Sequence, residues 1–262
     1  MKAKEIIRLM NEWVSPDLID SWDNTGFQIG DDNKEVERIL VSLDLYSKVL
    51  EKAIEENYDM IITHHPLIFK PVNSITTLDP KGKLIYNIIK NEIVVYNAHT
   101  NLDQAKGGVN DELARLLELE NTTLLYPNYI NGTESHGYGK IGDIEAIKLV
   151  DYVSFIKEKL NIDYLTIYGD IDRKVNRVAI CGGSGSEFIY NAYKGKACIY
   201  ITGDIKYHDA QLADELGLTI IDAGHYHTEK VILPVIKEYL IKYNNRLHIE
   251  VWNKPSPSYM IC

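Results

Sequence analysis

Imidazole and carboxylate side chains follow three separate β-rich runs of the sequence, at the point where each run ends. They are His64 and His65 after residues 59–63, His99 and Asp103 after residues 93–97, and His225 and Glu229 after residues 219–223. In an open α/β sheet, ligands bind in the crevice beyond the carboxyl ends of the strands. A lone histidine at such a place is more often a hydrogen-bonded structural residue, but three independent occurrences favour a functional site.

Metal binding is the chemistry that suits these residue types. Neutral imidazole and carboxylate together bind borderline divalent ions such as Zn²⁺, Fe²⁺ or Mn²⁺. The neighbouring side chains of His64 and His65 diverge in extended backbone, so they can serve two ions. A carboxylate such as Asp103 or Glu229 can bridge two ions about 3.5–4 Å apart. The spacing of four residues between histidine and carboxylate puts both groups on one face of a helix. The residues predict a dinuclear site that holds water.

The elements that must position these residues alternate along the chain. The predicted strands are 39–43, 59–63, 93–97, 178–181, 198–202, 219–223 and 247–251. The predicted helices are 3–14, 47–57, 81–91, 109–119, 145–160, 186–194, 207–216 and 229–243. Alternation of this kind is typical of βαβ units, so we expect an α/β fold with mainly parallel or mixed sheets.

The two halves of the sequence resemble each other. Val41 aligns with Val178 and Thr63 with Thr202 in nearly the same register, and each half goes on to a strand followed by His-x-x-x-carboxylate. Any two βαβ stretches look alike to some degree, but βαβ geometry does not require that last pattern. We therefore expect two related α/β halves that arose by duplication.

The expected halves are residues 1–125, which carry the His-His-Pro motif, and residues 126–262, which carry the His-x-x-x-Glu motif. They meet near residues 121–140, a polar and turn-rich stretch that we interpret as a connector.

Composition restricts the class of protein. The chain has 262 residues, 45% hydrophobic and 25% charged, with a formal net charge of −10. The apolar content excludes an intrinsically disordered chain, and the charge makes nucleic acid or an anionic membrane an improbable main partner. The three cysteines have no C-x-x-C spacing, which favours a reducing compartment. No uncharged apolar run approaches the roughly 18–20 residues that span a bilayer. We expect a cytoplasmic protein.

Several short motifs, taken together and in order, resemble the GTP cyclohydrolase I type 2 family, also called the Nif-three-like proteins. The motifs are Ser21-Trp22-Asp23-Asn24-Thr25-Gly26, Thr63-His64-His65-Pro66, Asn97-Ala98-His99-Thr100-Asn101-Leu102-Asp103, Cys181-Gly182-Gly183-Ser184-Gly185, Thr202-Gly203-Asp204 and Gly224-His225-Tyr226-His227-Thr228-Glu229. The resemblance implies two similar α/β halves with a dinuclear metal site between them, assembled into a hexameric ring.

The resemblance also implies roles for individual residues. The family's metal ligands fall on the positions held here by His64, His65, Asp103, His225 and Glu229. His99 matches a family histidine beside the metals, and we predict it as the catalytic residue that moves protons. Some members are assigned GTP cyclohydrolase activity, in which activated water attacks C8 of guanine and formate is released.

Three further features allow two interpretations each. Residues 182–187 lie between a predicted strand and helix, where backbone N–H groups can hold a phosphate, but a tight βα turn fits about as well. Trp22 either lines the site or caps the core. His227 either moves protons or, as we favour, is a solvated turn residue.

The leading hypothesis is a hydrolase that uses two divalent ions per chain on a small-molecule substrate, a nucleotide or related heterocycle. The alternative is a non-catalytic metal-binding protein that acts as a regulator or scaffold for protein partners. A nucleic-acid-binding protein is disfavoured by the net charge of −10.

Overall fold

The computed structural model describes residues 1–130 and 134–255. The chain forms two compact units. The first contains Met1–Leu102 and Leu233–Cys262, and the second contains Asp103–Ile232.

A five-stranded sheet organises the first unit. Its strands are β1 (Gly26–Ile29), β2 (Arg38–Ser42), β3 (Met60–Thr63), β4 (Val94–Asn97) and, from the end of the chain, β11 (His248–Trp252). The strand order is β1-β4-β3-β2-β11; β1 is antiparallel to β4, and every other pair is parallel. Strands β3 and β4 are buried at all four positions, as expected of parallel strands covered on both faces.

A six-stranded sheet organises the second unit. Its strands are β5 (Glu120–Ile130), β6 (Glu134–Lys148), β7 (Thr166–Tyr168), β8 (Lys174–Ser184), β9 (Ile199–Gly203) and β10 (Thr219–Asp222). The order is β5-β6-β8-β9-β10-β7. Strands β8, β9 and β10 are parallel, whereas β5, β6 and β7 pair in antiparallel fashion with their neighbours.

The helices lie between the strands in chain order. They are α1 (Ala3–Trp13), α2 (Ser47–Glu55), α3 (Pro80–Lys90), α4 (Thr100–Gln104), α5 (Val109–Leu116), α6 (Leu149–Leu160), α7 (Ile189–Lys194), α8 (Tyr207–Glu215), α9 (His225–Glu229) and α10 (Ile232–Tyr243). Helix α1 buries one apolar face through Ile6, Leu9 and Met10. Helix α3 begins where the Asp79 side chain accepts the N–H of Gly82. Across residues 1–130 and 134–255, no helix combines the length and apolar character needed to cross a membrane.

The expected α/β fold is confirmed, and the topology repeats between the units. Each has three successive parallel strands and an antiparallel strand beside the last of them: β1 beside β4, and β7 beside β10. All seven predicted strands occur within a few residues of their expected positions. The repeat seen in the sequence is therefore a repeat of strand order.

The connector predicted over residues 121–140 is wrong. The described part of this segment lies in β5 and the first half of β6, and the two strands pair from Glu120–Asp143 to Ile130–Glu134. Polar and turn-rich residues are tolerated in these strands because β6 also pairs with β8, so the sheet supplies its backbone partners. The predicted helix over 145–160 accordingly starts later, at Leu149.

The two compact units differ from the expected halves 1–125 and 126–262. The C-terminal strand β11 pairs in parallel with β2 from His248–Arg38 to Trp252–Ser42. Tyr58 OH also donates to Glu250 Oε2 at 2.5 Å. Backbone pairing, rather than position along the chain, thus assigns β11 to the first unit.

Candidate functional site

Three histidines gather at one edge of the sheet in the first unit. Strands β3 and β4 are parallel neighbours that end in register, with Thr63 opposite Asn97. The residues that follow therefore leave from the same edge. His64, His65 and His99 each offer a ring nitrogen, and these three atoms lie within 4.8 Å of one another. Their separation is small enough for a shared cation.

Each of the three imidazoles has its Nδ1 atom beside an oxygen acceptor. The pairs are His64 Nδ1 with Ala98 O at 2.8 Å, His65 Nδ1 with Asp44 Oδ1 at 2.8 Å, and His99 Nδ1 with Asp23 Oδ1 at 3.0 Å. A carbonyl or carboxylate oxygen accepts a hydrogen bond, so Nδ1 carries the proton and the lone pair of a neutral ring lies on Nε2. Metal-binding histidines are oriented in this way by their outer hydrogen bonds.

Asp23 is a site residue to which the sequence alone assigned no role. Its side chain is 0% exposed. It accepts hydrogen bonds from His99 Nδ1, from Thr25 Oγ1 at 2.5 Å, and from Thr100 Oγ1 at 2.8 Å and N at 3.2 Å. Burial alone would raise the pKa of this carboxyl, but the bonds from His99, Thr25 and Thr100 outweigh it and hold the pKa well below its ordinary value. Asp23 is an ionised anchor for the His99 ring.

Trp22 lies beside this group and does not cap the core. Its side chain is 60% exposed. The ring centroid is 6.1 Å from that of His99 and 6.1 Å from that of Phe69, in both cases edge to face. An exposed aromatic face next to the histidines agrees with the alternative in which Trp22 lines the site.

The second unit places a histidine and a glutamate on one helical turn. Strand β10 leads to α9, which begins at His225 and ends at Glu229. His225 Nε2 lies 3.0 Å from Glu229 Oε2, and His225 Nδ1 lies 2.7 Å from Asp204 Oδ2. The ring thus lies between two carboxylates. When the neutral ring donates its Nδ1 proton in a hydrogen bond to Asp204, the lone pair on Nε2 faces the Glu229 carboxylate. A cation bound between this lone pair and the carboxylate would stabilise the arrangement.

Asp103 adds a second carboxylate near Glu229. One oxygen of each lies within 4.8 Å of the other. Asp103 Oδ1 is buried, and the Glu229 side chain is 5% exposed. Two carboxylates held this close repel each other, and a divalent cation offsets the repulsion. The donors of this unit, one imidazole and two carboxylates, fit such an ion.

The glycine-rich turn after Cys181 is a packing turn rather than a phosphate cradle. Gly182 N donates to Asn110 Oδ1 at 3.0 Å, and Gly183 N donates to Thr228 Oγ1 at 2.9 Å. These N–H groups are therefore engaged by side chains. The Cys181 thiol is buried, and its burial, together with the charge of Asp103, raises its pKa well above the ordinary value. It stays a protonated core residue.

His227 is not a solvated turn residue. It is half-buried, and its Nδ1 atom lies 3.2 Å from Lys230 Nζ. Burial and the charge of Lys230 lower the pKa of the His227 ring to about 4. The ring is neutral at physiological pH.

The sequence of the chain is similar to those of known proteins. A sequence model of Duf34/NIF3 (NGG1p interacting factor 3) matches residues 1–257. A Clostridium acetobutylicum protein named GTP cyclohydrolase 1 type 2 homolog is 37% identical over 231 residues, which cover 87% of this chain and 85% of that protein. A Methanocaldococcus jannaschii protein of the same name is 34% identical over 253 residues, covering 96% and 98%.

The fold is shared as well. The crystal structure of a Bacillus cereus protein related to NIF3 matches with a TM-score of 0.94 at 28% identity, covering 100% of this chain and 99% of that one. Sequence similarity over nearly the whole length thus agrees with the strand order and with the motifs that carry the histidines. The chain belongs to the Duf34/NIF3 family.

Proposed function

We propose that this protein is a metal-dependent hydrolase that binds two divalent ions per chain, Zn²⁺, Fe²⁺ or Mn²⁺. The proposed ligands are His64, His65, Asp103, His225 and Glu229. The observation that carries the proposal is shared by His64, His65 and His225: Nδ1 faces an oxygen acceptor, so the lone pair of the neutral ring, which is the part that a metal binds, is on Nε2.

Bound ions would lower the pKa of a water molecule towards neutrality and polarise the bond under attack. The chain supplies the rest of the chemistry. Asp103 and Glu229 contribute the negative charge that offsets the charge of the ions. His99 moves the proton at Nε2, while Asp23 fixes the ring through Nδ1 and stabilises the imidazolium when it forms.

A nucleotide or related planar heterocycle is the proposed substrate class. Two observations support it. The curated relatives carry the name GTP cyclohydrolase 1 type 2 homolog. Trp22 presents an exposed ring beside His99, and aromatic faces bind planar bases by stacking.

The test combines elemental analysis with a turnover assay. Protein purified without oxygen is expected to carry close to two ions per chain and to convert GTP or another nucleotide, followed by chromatography and by formate release. His225→Ala is expected to lose metal and turnover together. His208→Ala, which removes an exposed histidine of the same unit, is the matched control and should keep both. Equal turnover by His225→Ala and His208→Ala would show that the proposed ligand His225 takes no part in the reaction.

A second candidate function is a metal-binding regulator that acts through protein partners. The family name, NGG1p interacting factor 3, favours it. Exposed apolar side chains after His65, which include Phe69, Ile75 and Leu78, supply contact surface. This function predicts two bound ions without turnover of any nucleotide. It also predicts a His65→Ala variant that loses metal but still binds its protein partner.

The resemblance further leads us to propose a cytoplasmic homohexamer. Light scattering would then give a mass about six times the 29.9 kDa of one chain. A monomer or dimer at micromolar concentration would contradict the ring.

A further inference from the structure

Gly183 approaches the Glu229 carboxylate more closely than any other residue type could. It lies near the end of β8 with a φ of +67°, in the left-handed region. A Cβ atom at this position would lie 3.0 Å from Glu229 Cδ and closer still to Glu229 Oε1. It would also reach His225 Cε1 at 3.5 Å. The absence of a side chain thus creates the space in which the carboxylate lies.

The backbone at Gly183 is anchored and cannot retreat from the carboxylate. Its N–H donates to Thr228 Oγ1 at 2.9 Å, and its carbonyl accepts from Thr202 Oγ1 at 3.2 Å. The Thr228 hydroxyl in turn lies 2.9 Å from His225 O, which ties the turn to helix α9. A side chain added at Gly183 would therefore move Glu229 rather than the strand.

We propose that Gly183 is a positioning residue for the metal site: it reserves the space that sets where the Glu229 carboxylate stands. The inference rests on the proposed metal binding. Ordinary contacts of a carbon atom lie at about 3.5–4.0 Å, so the Glu229 oxygen would have to move away from a new Cβ atom by roughly 1.5 Å. The distance between a metal ion and a ligand atom varies by only about 0.2 Å around its usual value. The displaced carboxylate can no longer bind an ion placed for the native position.

The test is Gly183→Ala, measured by Co²⁺ titration of protein stripped with a chelator. Visible absorbance of bound Co²⁺ reports both affinity and ligand geometry. We expect the affinity for at least one ion to fall about 10- to 100-fold, as for other changes that disturb the support of a metal ligand. Because the carboxylate is the mobile end of a side chain, the stripped protein should still fold.

Gly217 offers a closely matched control in the same unit. Its φ is +65°, and a Cβ atom there would meet nothing within 4 Å. Gly217→Ala therefore carries the same backbone strain without the contact to a ligand. It should bind Co²⁺ with the affinity and spectrum of the unsubstituted protein.

A shorter carboxylate supplies the second test. Glu229→Asp removes one methylene and draws the carboxylate back by about 1.5 Å, the length of one carbon–carbon bond. Gly183→Ala should then lower Co²⁺ affinity much less in the Glu229→Asp background than in the native one, a coupling that general damage to the strand would not produce. If Gly183→Ala alone does not fold, the comparison moves to stability. In a Glu229→Ala background, where the close contact is gone, Gly183→Ala should lower the free energy of unfolding no more than Gly217→Ala does.

The outcomes separate the two proposals. Co²⁺ binding by the unsubstituted protein with equal binding by Gly183→Ala overturns the role of Gly183 and leaves the metal site standing. Equal losses of affinity from Gly183→Ala in the native and Glu229→Asp backgrounds overturn it as well. If the unsubstituted protein binds no Co²⁺, the proposed function itself has failed.

Discussion

Replacing Asp23 by asparagine tests the arrangement that orients His99. The substitution keeps the shape of the side chain but changes one oxygen to an NH₂ group. Oδ1 accepts from His99 Nδ1 and from the backbone N–H of Asn24 at 2.8 Å. Oδ2 accepts from the Thr25 hydroxyl and from the hydroxyl and backbone N–H of Thr100. Whichever oxygen is replaced, the new NH₂ group faces a backbone N–H that cannot reverse its role.

The expected cost follows from these contacts. One backbone N–H loses its acceptor, which costs about 1–3 kcal/mol, and the remaining bonds lose the added strength of an ionised acceptor. We therefore expect Asp23→Asn to lower the free energy of unfolding by roughly 2–4 kcal/mol at pH 7.

The effect should depend on pH. The folded protein holds the Asp23 pKa below its ordinary value of 3.8, so the folded state favours the ionised form. That stabilisation is complete well above pH 3.8 and is lost as the pH falls through the lower pKa of the folded state. The gap in stability between the native protein and Asp23→Asn should narrow as the pH drops below about 4.

The assay is urea unfolding of chelator-treated protein, followed by tryptophan fluorescence at pH 7 and near pH 3.5. Chelation keeps metal binding from contributing to the difference. Asp17→Asn, at an exposed position of the same segment, is the control. The reasoning is refuted if Asp23→Asn and Asp17→Asn agree within about 0.5 kcal/mol, or if the gap stays constant on acidification.

Three further predictions follow from individual contacts. Asp204→Asn removes the charged acceptor of His225, and asparagine tolerates the backbone φ of +58° at this position, so the fold should not change. Metal affinity should fall about 10- to 100-fold in a chelator competition assay. An unchanged affinity would contradict the role of Asp204. Tyr58→Phe removes the bond to Glu250 that ties β11 to the rest of the first unit and should lower the free energy of unfolding in urea by about 1 kcal/mol, whereas Tyr86→Phe, at an exposed tyrosine, should cost nothing measurable. Removing metal should lower the melting temperature. Adding an ion at about 100 times its Kd should raise the free energy of unfolding by about 2.7 kcal/mol. A melting temperature that does not change when metal is added would argue against a site formed by folding.

Much of the first unit follows from local sequence patterns. The apolar runs that become β2, β3 and β4 are continuous, because strands covered on both faces need no polar alternation. The histidines that follow such runs must lie at the carboxyl edge of the sheet, since parallel strands end on the same side. Residue type, spacing and the repeat between halves were therefore enough to identify His64, His65 and His99 as candidates.

Pairing between distant segments lay beyond local pattern. Strands β5 and β6 contain turn-forming residues, and only their antiparallel pairing and the neighbouring β8 make them strands. Strand β11 has an apolar pattern that fits any sheet, and its pairing with β2 decides which unit it completes. Secondary structure of this kind depends on partners far away in the chain.

The sequence by itself determined which chemical groups this protein offers and the order of the elements that carry them. The tertiary structure decided how those groups are held. Asp23 lies 76 residues before the histidine that it orients, and Asp204 lies 21 residues before His225. In the sequence Gly183 is one glycine of a turn, and only the folded structure places the Glu229 carboxylate against it. A hydrogen bond or a close contact depends on distances of a few tenths of an ångström between segments remote in sequence, and only the folded backbone sets those distances.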